Sequence, residues 1–355
     1  MGVFEQVVGH EQVVFGHDEA TGLECIIAIH STALGPSLGG TRFHPYATEE
    51  EALTDVLRLS RAMSFKAACA GIDHGGGKAV IIGDPATDKS EGLLRAFGRM
   101  IDSLGGRYIT ACDVGTYPAD MEIIARETRW ATGRTIEQGG SGDSGVLTAY
   151  GVFIGMQASA QRKWGAPSLA GRHVAVQGLG KVGRRLVDLL LDAGAKVTAT
   201  DVAAEAVAAV SDVSGVDVVE PDDIFDVDAD VFSPNALGAV LNETTIPRLQ
   251  VAVVCGGANN QLATDEDDNR LAERGILYAP DYVVNAGGLI NVSDELHPQG
   301  HSPDRAHAKA DRIGSTLLEI FEEAAMSGVT SEEAAERVAF RRMQAVGNLR
   351  RFWLP

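Results

Sequence analysis

Cysteine is scarce in this chain. Cys25, Cys69, Cys112 and Cys255 are scattered over 355 residues with no CxxC pair, so the sequence suggests neither a zinc site nor a disulfide scaffold. Long apolar runs are missing as well: none approaches the roughly 18 residues expected of a membrane span. No charged and then apolar leader of the secretory kind opens the sequence. Met1-Gly2 begins like a myristoylation signal, but Gln6 stands where Ser or Thr is required. Positive charge is also short, with 30 Lys and Arg against 49 Asp and Glu, a formal net charge of -19. Such a field repels phosphate backbones and anionic lipid, so nucleic acid and membranes are poor partners, whereas small anionic substrates answer to local charge. These absences point to a cytoplasmic protein with reduced thiols. The length suits two domains.

Glycine, by contrast, is plentiful and clustered. His74-Gly75-Gly76-Gly77-Lys78 follows a second lysine, Lys66 in Ser64-Phe65-Lys66. Three glycines in a row allow positive φ and leave room for a ligand, and they present Lys78 to that space. A phosphate-cradling P-loop is excluded by spacing, because Ile72 takes the place of its first glycine and Ala79 that of its Ser or Thr. The alternative is a tight turn leading into a strand.

Ahead of this run, valines at 7–8 and 13–14 and the stretch Cys25–Ile29 read as the antiparallel start of a sheet, with a turn at 18–22. Residues 34–42 read as a loop from their Gly and Pro density. Within it the Gly39-Gly40 backbone is a candidate carboxylate contact, and the alternative is a plain turn. Thr48-Glu49-Glu50-Glu51 has the form of a capping box. Ala52, Val56, Leu59 and Met63 then predict one face of a helix from about 49 to the mid-60s. Lys66 lies at its far end, where a cation also complements the helix dipole. Ala79–Ile82 is a short buried strand, which puts Lys78 at a loop-to-strand junction. Ser90 caps a helix to about Leu104. The strand Tyr108–Ala111 ends just before Asp113, a candidate site carboxylate or simply a turn aspartate. Gly- and Ser-rich residues 134–145 mark an interdomain hinge, giving domains of 1–134 and 135–330.

After a helix over about 146–160, the strand His173–Gln177 runs into Gly178-Leu179-Gly180-Lys181-Val182-Gly183 and a helix that stops at Gly194. The next strand, 196–200, ends in Asp201, which lies 23 residues beyond the first of those glycines. A Gly-x-Gly-x-x-Gly inside a complete βαβ, with an acid about 20 residues on, is a dinucleotide fingerprint. The helix N-terminus would receive the pyrophosphate, and Asp201 would accept from ribose hydroxyls and repel a 2′-phosphate, which favours NAD over NADP. Short apolar runs near 216–219, 229–232, 251–255 and 276–279 continue the alternation of a doubly wound parallel sheet. Two of them lead into the loops 256–260 and 280–288, whose asparagines sit at strand ends where ligands bind in such sheets. Helices are expected over 303–327 and from 331 toward the C-terminus. The last, over about 331–355, could return to the first domain. The fold class is therefore α/β, with an α/β substrate domain and a Rossmann-like domain flanking a cleft.

Leu-Gly-Pro-Ser-Leu-Gly-Gly-Thr-Arg at 34–42, Ser-Phe-Lys at 64–66 and Gly-Gly-Gly-Lys at 75–78 also carry a family resemblance. So do Thr-Ala-Cys-Asp-Val-Gly-Thr at 110–116, the 178–183 fingerprint, Gly-Ala-Asn-Asn-Gln-Leu at 257–262 and Tyr-Ala-Pro-Asp-Tyr-Val-Val-Asn-Ala-Gly-Gly at 278–288. Together they resemble the amino acid dehydrogenases related to glutamate dehydrogenase, and more closely their leucine, valine and phenylalanine branch. The resemblance implies a homo-oligomeric enzyme that oxidatively deaminates branched-chain L-amino acids with NAD, valine foremost, giving a 2-oxo acid and ammonium. It implies that Lys66 and the Gly39-Gly40 backbone hold the substrate carboxylate and that Lys78 activates water. Asp113 would exchange protons with the substrate nitrogen. Asn260 lies near the substrate, and Asn259, Asn285 and Thr148 near the nicotinamide. Leu38, Ala111, Leu289 and Val292 would line an apolar side-chain pocket in which a glutamate carboxylate finds no partner. The family more often has valine where Leu289 stands, and the added methylene favours valine over leucine by about 1–3 kcal/mol at most. Desolvation and the charge of Lys66 would lower the Lys78 pKa while Asp113 opposes them. A leucine- or phenylalanine-preferring enzyme is the near alternative, and an NAD-binding regulator without turnover the distant one.

Overall fold

A computed structural model describes residues 3–349. They divide into two compact units, one of residues 3–142, 289–306 and 339–349, the other of 143–288 and 307–338.

The first unit begins with α1 (Val3–Gln6), β1 (Gln12–Asp18), β2 (Leu23–Ser31) and β3 (Ser37–His44). Then come α2 (Glu49–Cys69), β4 (Gly75–Ile82), α3 (Glu91–Asp102), β5 (Tyr108–Cys112) and α4 (Pro118–Ile124). The strands form one sheet in the order β1-β2-β4-β3-β5. β2 is antiparallel to both its neighbours, whereas β3 runs parallel to β4 and β5. Thr48 caps α2 by accepting the Glu51 N–H at 3.1 Å. The helix buries Ala52, Leu53, Val56 and Leu57 against Ile26, Ala28 and Val80 on one face of the sheet. On the other face Phe43, Ala79, Ile81 and Tyr108 pack with Leu93, Leu94, Phe97 and Met121 of α3 and α4.

Three expectations change here. Residues 37–44 are a strand inside the sheet and not part of a loop. β4 begins at Gly75, so Lys78 sits in mid-strand and not at a junction. α2 continues to Cys69, and its buried stripe is turned slightly from the expected face, leaving Leu59 and Met63 half-buried.

The second unit holds α5 (Ser144–Trp164), β6 (His173–Gln177), α6 (Lys181–Asp192), β7 (Lys196–Thr200), α7 (Ala204–Ser211) and β8 (Val216–Val218). It continues with β9 (Val231–Pro234), β10 (Val253–Val254), α8 (Glu266–Glu273), β11 (Leu277–Tyr278) and α9 (Asp281–Val284). All six strands are parallel, in the order β11-β10-β9-β6-β7-β8. β6, which leads into the glycine fingerprint, lies at the point where the strand order reverses, the usual ligand position in open parallel sheets.

The chain then forms α10 (Gly287–Asp294), α11 (Pro303–Ala310), α12 (Arg312–Ser327) and α13 (Ser331–Leu349). Residues 280–288, expected as a loop, are largely helical in α9 and the start of α10. The helix expected over 303–327 is broken at Asp311, whose carboxylate accepts the Tyr150 hydroxyl at 2.5 Å. The division into units also differs from a single cut near 134. Glu295 accepts the Gly133 N–H at 2.9 Å and the Ser141 N–H at 2.8 Å, tying 133–141 and 289–306 into the first unit. Arg342 of α13 donates to Ile72 O at 2.9 Å and to Asp73 at 2.7 Å, just beyond the C-terminus of α2. Met1, Gly2 and the expected helical residues 350–355 lie outside the described residues. Among the described residues no helix is long and apolar enough to cross a membrane.

Candidate active site

Strand register assembles the first cluster. Side chains alternate between faces along a strand. Leu38 lies opposite Gly76 and Ile109, Gly40 opposite Ala111, and Arg42 opposite Val80. Leu38, Gly40 and Arg42 therefore share a face with Gly76 and Lys78 of β4 and with Ala111 of β5. This is also the face that α2 covers through Val80. Asp113, just past β5, is turned onto the same face by a bonded bend. Its N–H donates to Thr116 Oγ1 at 2.9 Å, and that hydroxyl donates to Thr41 O at 2.8 Å.

The glycines of this cluster serve close approach. Gly75, Gly76 and Gly77 all lack positive φ, contrary to the expectation drawn from their run. A Cβ on Gly76 would stand 2.1 Å from Ser64 N, and one on Gly39 1.7 Å from Gly77 O. A Cβ on Gly40 would meet the Asp113 Cβ at 2.8 Å. Gly76 therefore lets α2 settle on β4 two residues before Lys66 and two before Lys78. Gly40 makes room for Asp113.

Lys78, 6% exposed, places Nζ 2.8 Å from Asp113 Oδ2. Arg42 Nε reaches the same oxygen at 3.1 Å, and Arg42 Nη1 reaches Asp55 of α2 at 2.8 Å. The Tyr46 hydroxyl donates to Asp55 at 2.6 Å. Burial acts to raise the Asp113 pKa, but the Lys78 and Arg42 charges outweigh it and hold the carboxyl at about 2. An ammonium and a carboxylate in contact, beside the small apolar Leu38 and Ala111, can exchange protons with a ligand while offering its apolar part no polar partner. Both of these apolar residues are buried, whereas Leu289 and Val292 of α10, also in the first unit, are half-buried.

The second cluster lies in the other unit. Gly178 has φ +93, a turn that L side chains rarely adopt. Gly180, the N-cap of α6, faces open space, and a Cβ on Gly183 would lie 1.9 Å from Gly178 O. Asp201 Oδ2 accepts the Leu179 N–H at 2.6 Å and Oδ1 accepts the Ala203 N–H at 2.8 Å, so the acid already braces the loop. Lys181 and Val182 open α6. Asn285, almost wholly buried, donates to Asn259 at 2.8 Å, and its own Oδ1 is buried with no hydrogen-bond partner. Asn260 takes φ +52. Thr148 Oγ1 donates to Ser144 O at 2.9 Å and would lie 2.9 Å from a Cβ on Gly288.

Residues 9–130 match the family model of the Glu/Leu/Phe/Val dehydrogenase dimerisation domain. Residues 139–218 and 200–350 match that of Glutamate/Leucine/Phenylalanine/Valine dehydrogenase. A valine dehydrogenase of Streptomyces virginiae is 58% identical over 94% of each chain. The chain belongs to the glutamate/leucine/phenylalanine/valine dehydrogenase family. A phenylalanine dehydrogenase of Caldalkalibacillus thermarum is 49% identical over 99% of this chain and 96% of that one. The crystal structure of L-tryptophan dehydrogenase from Nostoc punctiforme superposes with a TM-score of 0.85 at 45% identity, covering 97% of this chain and 98% of that one. The two-domain architecture read from the sequence, with its Rossmann-like parallel sheet, is that of the dehydrogenase family.

Within this amino acid dehydrogenase, Arg42, Asp55 and Tyr46 extend the Lys78–Asp113 pair. Arg42 closes the 34–42 stretch of the family resemblance but had no role assigned, and Asp55 and Tyr46 carried no recognised signal in the sequence. The alternation phase of 37–44 would have revealed Arg42 once that stretch was read as a strand. Glu295 was likewise missed. It follows Val292 on the chain and fixes 133–141 beside β5, where Thr132 N–H donates to Thr110 O at 2.8 Å.

Proposed function

We propose that this chain catalyses the NAD-dependent oxidative deamination of branched-chain L-amino acids, valine foremost. In that reaction the amino acid, NAD⁺ and water give a 2-oxo acid, ammonium, NADH and a proton. The observation that carries this reading is the Lys78–Asp113 pair at 2.8 Å on one sheet face with apolar Leu38 and Ala111, in a chain 58% identical to a valine dehydrogenase. Lys66 and the Gly39-Gly40 backbone hold the substrate carboxylate. Lys78, when neutral, takes the proton of the water that attacks the iminium carbon. Asp113 exchanges protons with the departing nitrogen. Leu38, Ala111, Leu289 and Val292 line the side-chain pocket, and Asn260 helps orient the substrate.

The fingerprint suits a dinucleotide. Gly178 makes the turn, the open space over Gly180 leaves the first N–H groups of α6 accessible to a pyrophosphate, and Gly183 keeps helix and strand close. Leu179, Lys181 and Val182 complete the loop, and Asp201 accepts from the ribose and disfavours NADP. Thr148, Asn259 and Asn285 receive the carboxamide end; the unpartnered Asn285 Oδ1 is an acceptor waiting for a donor of that kind. Bound NAD would supply the hydride acceptor.

The test is amino acid-dependent NADH absorbance at alkaline pH, with kcat/KM for valine, leucine, isoleucine and phenylalanine and with NADP in parallel. Valine well below phenylalanine would overturn the substrate assignment in favour of the reading that the 49% identical phenylalanine dehydrogenase supports. No NADH from any amino acid, in folded protein that binds NAD, would leave a regulator. We further infer a cytoplasmic homo-oligomer, consistent with the matched dimerisation-domain model. A monomer in light scattering at micromolar concentration would count against it.

A further inference from the structure

The pairing on Asp113 is lopsided. Lys78 Nζ and Arg42 Nε both bind Oδ2, at 2.8 and 3.1 Å. Of the two, Arg42 keeps its charge throughout, because a guanidinium is not deprotonated in proteins. Arg42 is itself held. Its Nη1 binds Asp55 Oδ2 at 2.8 Å, and Tyr46 donates to that same oxygen at 2.6 Å. Asp55 comes from α2, the helix that carries Lys66, while Tyr46 lies in the turn after β3. Charge thus alternates along Lys78, Asp113, Arg42 and Asp55, across β4, β5, β3 and α2.

We propose that Arg42, oriented by Asp55 and Tyr46, is a positioning residue that fixes Asp113 on the reacting face and holds it as a carboxylate, ready to accept a proton from the substrate nitrogen, whatever the charge on Lys78. This rests on the roles proposed above for Lys78 and Asp113. When Lys78 carries its proton, Asp113 has two cationic partners. When Lys78 gives it up to act as a base, Arg42 remains as the cation on the carboxylate, beside the Val114 backbone bond. The charged and titratable groups around Asp113 include Lys78 from β4, Arg42 from β3, Asp55 from α2 through Arg42, Tyr46 beyond β3, and Cys112 and Tyr108 of the strand that it follows. The low carboxyl pKa of Asp113 agrees with this arrangement, and removing Arg42 takes away one of its two stabilising charges while burial continues to act in the opposite direction.

The experiment compares wild type, Arg42→Gln, Arg42→Lys and Asp55→Asn in the full-length protein, with circular dichroism to confirm folding. One readout is the pH profile of kcat/KM. The other is direct titration of the Asp113 carboxyl by ¹³C NMR without substrate, assigned by its loss in Asp113→Asn. In Arg42→Gln the Asp113 titration should move up by at least about one pH unit, which is the loss of a nearby opposite charge, and kcat/KM should fall across the profile. Arg42→Lys should restore most of the titration but not full kcat, because an ammonium cannot bridge Asp113 and Asp55 as a planar fork does. Asp55→Asn should lower kcat with a smaller shift and keeps the test open if Arg42→Gln fails to fold. An unmoved Asp113 titration in folded Arg42→Gln overturns the proposal. If wild type shows no amino acid-dependent NADH formation while the titration shifts as expected, the functional reading fails and the electrostatic clamp stands.

Discussion

Two sets of glycines organise this molecule, and they do opposite things. In the first unit Gly39, Gly40, Gly75, Gly76 and Gly77 have none of the positive φ values that favour glycine. They are small because other atoms arrive where a Cβ would be: backbone at four of them, such as Ser64 N at 2.1 Å from Gly76, and the Ser37 and Tyr108 side chains at Gly77. In the second unit Gly178 takes φ +93 and Gly180 faces empty space. The first set closes a contact that holds side chains in place, whereas the second makes a turn and leaves an opening. Glycine within a strand often marks the close approach of another backbone, and glycine at a helix start exposes N–H donors to a ligand. With the roles proposed above, the contrast predicts that the first set governs stability and chemistry and the second governs cofactor affinity.

The strongest test removes the group that the closed set presents. Lys78→Ala should lower kcat by about 10²–10⁴-fold, the usual range for a general acid–base residue, with NAD affinity by fluorescence titration unchanged. Equal loss of NAD binding would break the division. Next, Gly76→Ala forces α2 from β4 and should cost roughly 3 kcal/mol in denaturant unfolding, the upper end for overpacking. A neutral result would mean that the contact yields easily.

Acid should loosen the same contact. Ser64 Oγ, beside Gly76, bonds His30 Nδ1 at 2.8 Å. Burial, aided by His10 and Arg61, lowers the His30 pKa to about 4 from an ordinary 6.5. The fold therefore holds His30 neutral. Its contribution is complete above pH 6.5 and declines as pH falls through 6.5 to 4, by an order of 1–3 kcal/mol. Thermal melts across that window should show a slope that His30→Gln flattens. The smallest effect belongs to the open set: Gly180→Ala should leave stability within about 0.5 kcal/mol while weakening NAD roughly tenfold by crowding the pyrophosphate. A large loss of stability would show that Gly180 is packed after all.

The second unit was the more legible in sequence because its signals are local. Strand, turn, helix and Asp201 follow one another within about 30 residues, as a βαβ unit requires. In the first unit the decisive contacts are distant in the chain. Gly39 reads as loop chemistry until Gly77 is known to lie against it, and Gly76 as a turn until Ser64 does. Arg42 finds its carboxylate 71 positions later, and Glu295 bonds Ser141 across 154. Apolar periodicity located α2, but its exact face depends on Ile26 and Val80, which no helical pattern contains. The candidate residues were nameable from the sequence, while the ion-pair chain that links two of them was not.

The passage of the chain from one unit to the other between Gly288 and Leu289, within a single helix, has a practical consequence. Leu38, Ala111, Leu289 and Val292 fall on one side of that division, and Gly178–Gly183 with Asp201 on the other. On the roles proposed above, directed evolution of side-chain preference and of cofactor preference can therefore draw on separate mutant libraries. Chimaeras of related dehydrogenases joined at 142/143 and 288/289 would inherit each trait from a different parent.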